Sequence, residues 1–209
     1  MIHSGRIRTE ADAAEKHAGQ ISSRLHKARE KAAVTFAGEI RGQMSELNFM
    51  DTRLEIRISD LGHYCASGSD EAEFYLATNP GEPLKPLGKV ASGGELSRIA
   101  LAVKTVMADT DEIPTLIFDE IDSGISGRTA QMVSQKMKLL AKTHQIICIT
   151  HLPQIAAMAD AHFLIENRWS MRPRFPGFIR CGKRKVSRNW RGCLAAWRSR
   201  IRFYKTHAR

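Results

Sequence analysis

Along residues 9 to 47 the apolar positions Ile21, Leu25, Ala28, Ala32, Phe36, Ile40, Met44 and Leu47 recur every three or four residues among charged ones. That spacing predicts one long amphipathic helix with a single apolar stripe. The period then changes to two: residues 53 to 59 alternate Leu54, Ile56 and Ile58 with polar neighbours, and residues 73 to 78 are rich in aromatic and aliphatic side chains. Both read as strands, with residues 61 to 70, rich in Gly, Ser and Asp, as their connection. Helical spacing returns after Ser92, where Leu96, Ile99, Ala100, Val103 and Met107 define one face. Residues 115 to 118 are a short β-prone run behind Pro114; residues 127 to 141 carry Met132, Val133, Met137 and Leu140 at helical spacing; residues 145 to 150 form a second apolar run. A strand, a helix and a strand in that order predict two parallel strands joined by a right-handed crossover. A short helix over residues 153 to 159 and a final strand over 162 to 166 complete an α/β arrangement in which flanking helices cover a parallel sheet.

Candidate chemistry falls at the ends of these elements. Ser92 followed three residues later by Glu95 is a capping-box pattern, and Gly93 and Gly94 leave first-turn N–H groups open to a close-approaching anion. An ordinary capped helix explains the same four residues. Asp119 and Glu120 end the first apolar run, and carboxylates at the carboxyl end of a parallel strand face the crevice where α/β proteins bind ligands. One of them suits Mg²⁺, usually through water, and the other suits the orientation and deprotonation of an attacking water. The alternative is that the pair simply opens the turn that continues through Asp122 to Gly124. Thr150 and His151 end the second run and therefore emerge at the same sheet edge as the two carboxylates.

Three stretches carry a resemblance: residues 79 to 98, which end in Ser92-Gly-Gly-Glu95-Leu-Ser-Arg98; residues 117 to 127, with Asp119-Glu-Ile-Asp122; and residues 149 to 156, with Thr150-His151. Over residues 9 to 167 the chain resembles the carboxyl-terminal half of the RecN family of bacterial DNA repair proteins, in the SMC branch of ABC-type ATPases. The resemblance implies the carboxyl lobe of an ATPase head whose cofactors are ATP and Mg²⁺. It also implies roles: Ser92, Gly93, Gly94 and Glu95 as the signature motif that contacts the γ-phosphate of a nucleotide held in trans, Asp119 as the Mg²⁺ carboxylate and Glu120 as general base. Asp122 becomes the residue coupling the interface between heads, and His151 the γ-phosphate sensor. By the same resemblance the intact protein acts on DNA in recombinational repair of double-strand breaks, with ATP drawing heads together.

No Gly-x-x-x-x-Gly-Lys-Ser/Thr occurs in the 209 residues, so the phosphate-cradling loop is not in this chain. The family keeps that loop in an amino-terminal lobe beyond a coiled-coil excursion. Residues 1 to 50 are therefore expected to be a returning coiled-coil arm, although a helix packed on its own domain explains the stripe as well. Residues 51 to 167 are expected to be the lobe, partnered by a second head or an amino-terminal P-loop lobe in trans. No ATP turnover is expected from the chain alone.

Composition alters the picture only after residue 167. Residues 1 to 167 hold eighteen basic and twenty-two acidic residues, and residues 168 to 209 hold fourteen basic and none acidic, so the net charge of +10 splits into −4 and +14. Three readings of this tail compete. A basic segment with Trp169, Trp190 and Trp197 suits DNA; an anionic membrane surface would suit the charge, but nothing amphipathic supports it. The preferred reading is a shifted reading frame near Asn167, with a segment that lacks order. No apolar run reaches membrane-spanning length, and the four cysteines form neither a CxxC pair nor a metal pattern. Cys148 reads as a buried hydrophobe, which points to a reducing cytoplasm.

Overall fold

The computed structural model describes residues 2 to 89, 91 to 166, 177 to 181 and 201 to 204. The chain divides into two compact units, one of Met1–Arg41 with Asp51–Val90 and the other of Gly42–Met50 with Ala91–Arg209. This division differs from the expected breaks after residues 50 and 167, because the strand pair groups with the long helix.

The first unit contains most of α1 (Ile2–Ser45) and the antiparallel hairpin of β1 (Arg53–Cys65) and β2 (Gly68–Ala77), to which β3 (Lys85–Pro86) adds a third strand. Leu54 and Leu76 are Cα partners in the ladder and both are buried, as the two-residue period requires. Residues 61 to 70 are not the expected connection: strand pairing continues to Cys65 opposite Gly68, leaving only Ala66 and Ser67 as the turn. The polar hairpin end finds its partners on α1. Arg29 Nη1 donates to Asp70 Oδ2 at 2.9 Å and Arg29 Nη2 to the Ser67 carbonyl at 2.6 Å, while His26 Nδ1 lies 2.7 Å from Asp70 Oδ1 and the Ser22 and Ser69 hydroxyls lie 2.6 Å apart.

These contacts also turn the helix away from its expected stripe. Ser22, Ala33 and Ala37 are buried in the earlier part of the stripe, whereas Ile21, Ala28 and Ala32 are exposed; Ile40, Met44 and Leu47 are fully buried as expected. The predicted stripe counted apolar residues only; the helix instead seats His26 and Arg29 on the hairpin, which shifts the buried face by about one position.

The second unit is built on β4 (Thr115–Phe118) and β5 (Gln145–Ile149), which are parallel as predicted, with Thr115 opposite Gln145 and Phe118 opposite Cys148. Leu116, Phe118, Ile146 and Cys148 are buried together with Ala130, Val133, Met137 and Leu140 of α3 (Gly127–Leu140). The rest of the sheet is antiparallel, so it is mixed rather than wholly parallel: β6 (Ala161–Glu166), β7 (Gly177–Cys181) and β8 (Ile201–Tyr204) complete the order β4-β5-β8-β6-β7. The strand at 161 to 166 is thus not the last, and the tail expected to lack order supplies two strands. A backbone ladder needs only N–H and C=O groups, so the side-chain pattern that failed to predict these strands does not prevent them from pairing. The reading-frame expectation and the tail tryptophans lie outside the described residues.

Helix α2 (Gly93–Val106) begins where the capping box predicts, but its buried face is Gly94, Arg98, Ile99, Leu101 and Ala102. Leu96, counted in the predicted apolar face, is 44% exposed. With Arg98 on the inward face, the buried side of the helix lies well round from the side the apolar count picks out. The short α4 (Pro153–Ala156) follows β5.

Candidate functional site

The site in the second unit starts with Ser92. Its hydroxyl accepts from the Glu95 N–H at 3.4 Å and donates to Glu95 Oε2 at 2.8 Å, while the Ser92 N–H also donates to Glu95 Oε2 at 2.8 Å. The reciprocal cap fixes the first turn of α2 and engages both polar side chains with each other. The two glycines between them have a different reason from an open approach for ligand. A Cβ on Gly93 would lie 2.7 Å from Glu120 Oε2, and one on Gly94 would lie 2.7 Å from Ser123 Cβ and 2.8 Å from the Glu120 carbonyl oxygen. The first turn of α2 is therefore pressed against the loop that leaves β4, and the space over Gly93 holds the Glu120 carboxylate.

That loop is held by the next turn of the same helix. Ser97 Oγ donates to the Asp119 carbonyl at 2.6 Å, and Arg98 Nη1 donates to the carbonyls of Ile121 at 3.2 Å and Ser123 at 2.8 Å. Arg98 is only 6% exposed, with its guanidinium 5.6 Å from the Phe49 ring centre. Burial lowers its pKa from the ordinary arginine value, opposed by the charges of Glu95 and Asp122. Glu120 itself sits at φ 54°, a left-handed conformation that costs a non-glycine residue about 1 kcal/mol and recurs at functional loops. The Ser123 N–H closes the turn onto the Glu120 carbonyl at 2.9 Å.

Asp122 is buried and points inward. Its Oδ2 accepts from the Thr150 hydroxyl, from the His151 N–H at 2.8 Å and from the Leu152 N–H at 3.3 Å, and lies 3.1 Å from His151 Nδ1. The carboxylate to which the resemblance gives a role between heads holds the loop after β5 in this chain. The imidazole of His151 is 57% exposed beyond it.

The structure thus brings every predicted site residue into one chain of contacts, from Ser92 and Glu95 through Gly93, Gly94 and Glu120 to Asp119, Asp122 and His151. Arg98 and Ser97 escaped the sequence reading. Their signal was a polar pair at positions i+5 and i+6 from the cap, one of them on the inward face; without the fold it is indistinguishable from a solvated helix face.

Asp119 and Glu120 are exposed, and the hydrogen bond assigned to the Asp119 carboxylate uses Oδ1, which accepts from the Glu120 N–H at 2.9 Å. Its second oxygen suits Mg²⁺, a hard cation that takes one or two carboxylates and fills its shell with water and phosphate. Among the described residues no group of three or more His, Cys, Asp or Glu could hold a metal ion. The start of α2 is exposed at Ser92 and Gly93, and the positive end of the helix dipole there suits an anion. Among the described residues no helix is long and apolar enough to cross a membrane.

No family model matches the chain. Individual relatives do. It is 42% identical over 151 residues to DNA repair protein RecN of Halalkalibacterium halodurans, covering 70% of this chain and 27% of that one, and 43% identical over 160 residues to RecN of Treponema pallidum, covering 74% and 27%. RecN of Bacillus subtilis is 36% identical over 178 residues, covering 78% and 31%. The chain therefore spans about 30% of the length of these relatives or less. Among solved structures, the Smc head domain with coiled coil and joint from Pyrococcus yayanosii superposes with a TM-score of 0.62 at 18% identity, over 92% of this chain and 35% of that one. The Pyrococcus furiosus Smc head with an extended coiled coil, bound to the carboxyl-terminal domain of ScpA, gives 0.58 at 18%, over 90% and 45%. These likenesses show the fold of an SMC-type head lobe preceded by a long helix. The sequence identities establish that the chain belongs to the RecN family of DNA repair proteins and corresponds to part of the carboxyl-terminal half of its members.

Proposed function

We propose that this chain supplies the signature, carboxylate and switch-histidine half of an ATP-hydrolysing head in DNA double-strand break repair. The phosphate-cradling loop comes from an amino-terminal lobe or a second head, and nucleotide draws the two together. One observation carries the reading: three motifs far apart in sequence form a single contact network at the start of α2 and the ends of β4 and β5. A second supports the partner. Strand β4 is an edge of its sheet, and among the described residues Ile117 at its centre is 66% exposed while Leu116 and Phe118 are buried, so an apolar side chain stands uncovered on a strand edge.

In this reading the exposed first turn of α2 meets the terminal phosphate of a nucleotide held by the partner. Mg²⁺ would neutralise phosphate oxygens, with Asp119 holding one of its waters. Glu120 accepts the proton of the attacking water and His151 reports the terminal phosphate. The Glu120 carboxylate, now over Gly93, has to swing away for either of its neighbours to be used.

The test is complementation. The purified chain alone should not turn over ATP; mixed with an amino-terminal RecN lobe that carries a P-loop, it should show Mg²⁺-dependent hydrolysis. Glu120→Gln should cut that rate by about 100-fold or more, the scale of a lost general base. Ile117→Asp should abolish stimulation while leaving the chain folded. Absence of turnover at every mixing ratio would sink the catalytic reading.

The tail supports a second reading. Fourteen basic residues and no acidic ones across residues 168 to 209 favour salt-sensitive, sequence-indifferent DNA binding. Affinity that survives deletion of those residues would refute it.

A further inference from the structure

Asp122 is 4% exposed and carries a carboxylate whose single oxygen Oδ2 takes four neighbours: the Thr150 hydroxyl, the N–H groups of His151 and Leu152, and His151 Nδ1 at 3.1 Å. An ionised carboxylate only accepts: the Thr150 hydroxyl and the two N–H groups donate to it, and a lone pair on His151 Nδ1 facing the same oxygen at 3.1 Å would be repelled. In the neutral imidazole of His151 the hydrogen therefore sits on Nδ1, and Nε2 keeps its lone pair at the exposed end of the ring. On the other side of Asp122, Arg98 holds the carbonyls of the residues flanking it, Ile121 and Ser123. Arg98 is on α2, three residues beyond Glu95, so one helix carries both the capped start and the clamp on Asp122.

We infer that Asp122 and Arg98 are positioning residues for His151. Asp122 sets the orientation and the tautomer of the imidazole, and Arg98 ties the peptide around Asp122 to the helix that starts at the signature glycines. A displacement of α2 is thereby passed to the ring through two carbonyls and one carboxylate. This deepens the proposed role of His151 in meeting a terminal phosphate and rests on that reading for its purpose, though not for its geometry.

The experiment uses the full chain with ¹⁵N-labelled imidazoles and long-range ¹H–¹⁵N spectra at a pH where the rings are neutral. His151 should show a protonated Nδ1 and an unprotonated Nε2. Asp122→Asn should shift the ring toward the Nε2–H form. Arg98→Met should do so in part, and Arg98→Lys, which keeps a buried donor, should restore much of the original signal. His26 and His144, which meet other partners, serve as folding controls; if Asp122→Asn loses their signals, the Arg98 pair decides. A wild-type His151 in the Nε2–H form overturns the inference, as does a ring unchanged in both Asp122→Asn and Arg98→Met while the controls hold. No nucleotide enters the measurement. A correctly set ring in a chain that never supports turnover would therefore sink the ATPase reading and leave the positioning intact.

Discussion

Asp70 in the first unit and Asp122 in the second are both nearly buried, with side chains 3% and 4% exposed, yet they are satisfied by opposite means. Asp70 takes the guanidinium of Arg29 and the imidazole of His26, two groups that bring or can bring charge from α1 to the hairpin. Asp122 is surrounded by a hydroxyl, two peptide N–H groups and one imidazole nitrogen, all from residues 150 to 152. A carboxylate matched by ionisable partners makes its contact responsive to pH and salt. One matched by peptide groups makes its contact depend on where the backbone runs. The first unit should therefore be perturbed most readily through charge and the second through shape.

The sharpest way to break the second unit is a single methyl group. In Gly94→Ala the new Cβ would lie 2.7 Å from Ser123 Cβ and 2.8 Å from the Glu120 carbonyl, and neither atom is the free end of a flexible chain. The helix or the loop has to move, and overpacking of this kind costs about 2 kcal/mol, more than alanine returns in helix propensity. Urea unfolding should show the loss as a lower midpoint. An unchanged midpoint would mean that α2 and the loop are not pressed together as described.

The first unit should answer to pH. Asp70 raises the pKa of His26 above its usual 6.5, through their hydrogen bond first and charge second, against an opposing desolvation; Glu30 and Asp60 add smaller upward pulls. A group whose folded pKa is raised contributes stability below its unfolded value and loses it as pH rises through the folded one. Docking of α1 on the hairpin should thus weaken as pH climbs from about 6.5 upward. Hydrogen exchange at the hairpin end, followed across that range, should speed up beyond the chemical rate increase. Asp70 is held below its usual 3.8, by His26 first and Arg29 next among the lowering causes, so a second loss should appear only as pH falls below that value. Asp70→Asn should remove the upper transition; its persistence would assign the effect to another group.

These responses bear on how much was legible in the sequence. The period-3.6 and period-2 runs located α1, α2 and α3, the parallel pair and the two strands of the hairpin, because each buries apolar side chains at its own spacing. The capping box located the start of α2 to the residue. What stayed hidden was polar: Arg98 on an inward face, His26 and Arg29 seated on Asp70, and the two-residue turn at Ala66 and Ser67 within a stretch whose Gly, Ser and Asp content reads as loop. Such residues are buried because of partners far along the chain, and no local period announces them. Capping and strand ends picked out Ser92 to Glu95, Asp119, Glu120 and His151, and the resemblance supplied their roles and that of Asp122. Their mutual contacts, above all Asp122 facing inward, needed the fold.

Gly93→Ala should have the smallest effect on stability and separates close packing from function at the same helix start. The added Cβ would meet Glu120 Oε2 at 2.7 Å, but that oxygen ends a flexible side chain on an exposed residue and can turn aside. Alanine also costs less backbone entropy than glycine in a helix, so the unfolding free energy read from the urea curve should change by no more than about 0.5 kcal/mol in either direction. Its neighbour one position on should cost several times as much, and the ratio of the two is the measurement. Equal losses would show that the loop is rigid as far as the Glu120 carboxylate, which would then be part of the packing and not a group free to swing. A near-silent Gly93→Ala that nevertheless changes ATP turnover in the complemented head would show that the Glu120 carboxylate over the first turn matters to the chemistry while contributing little to the fold.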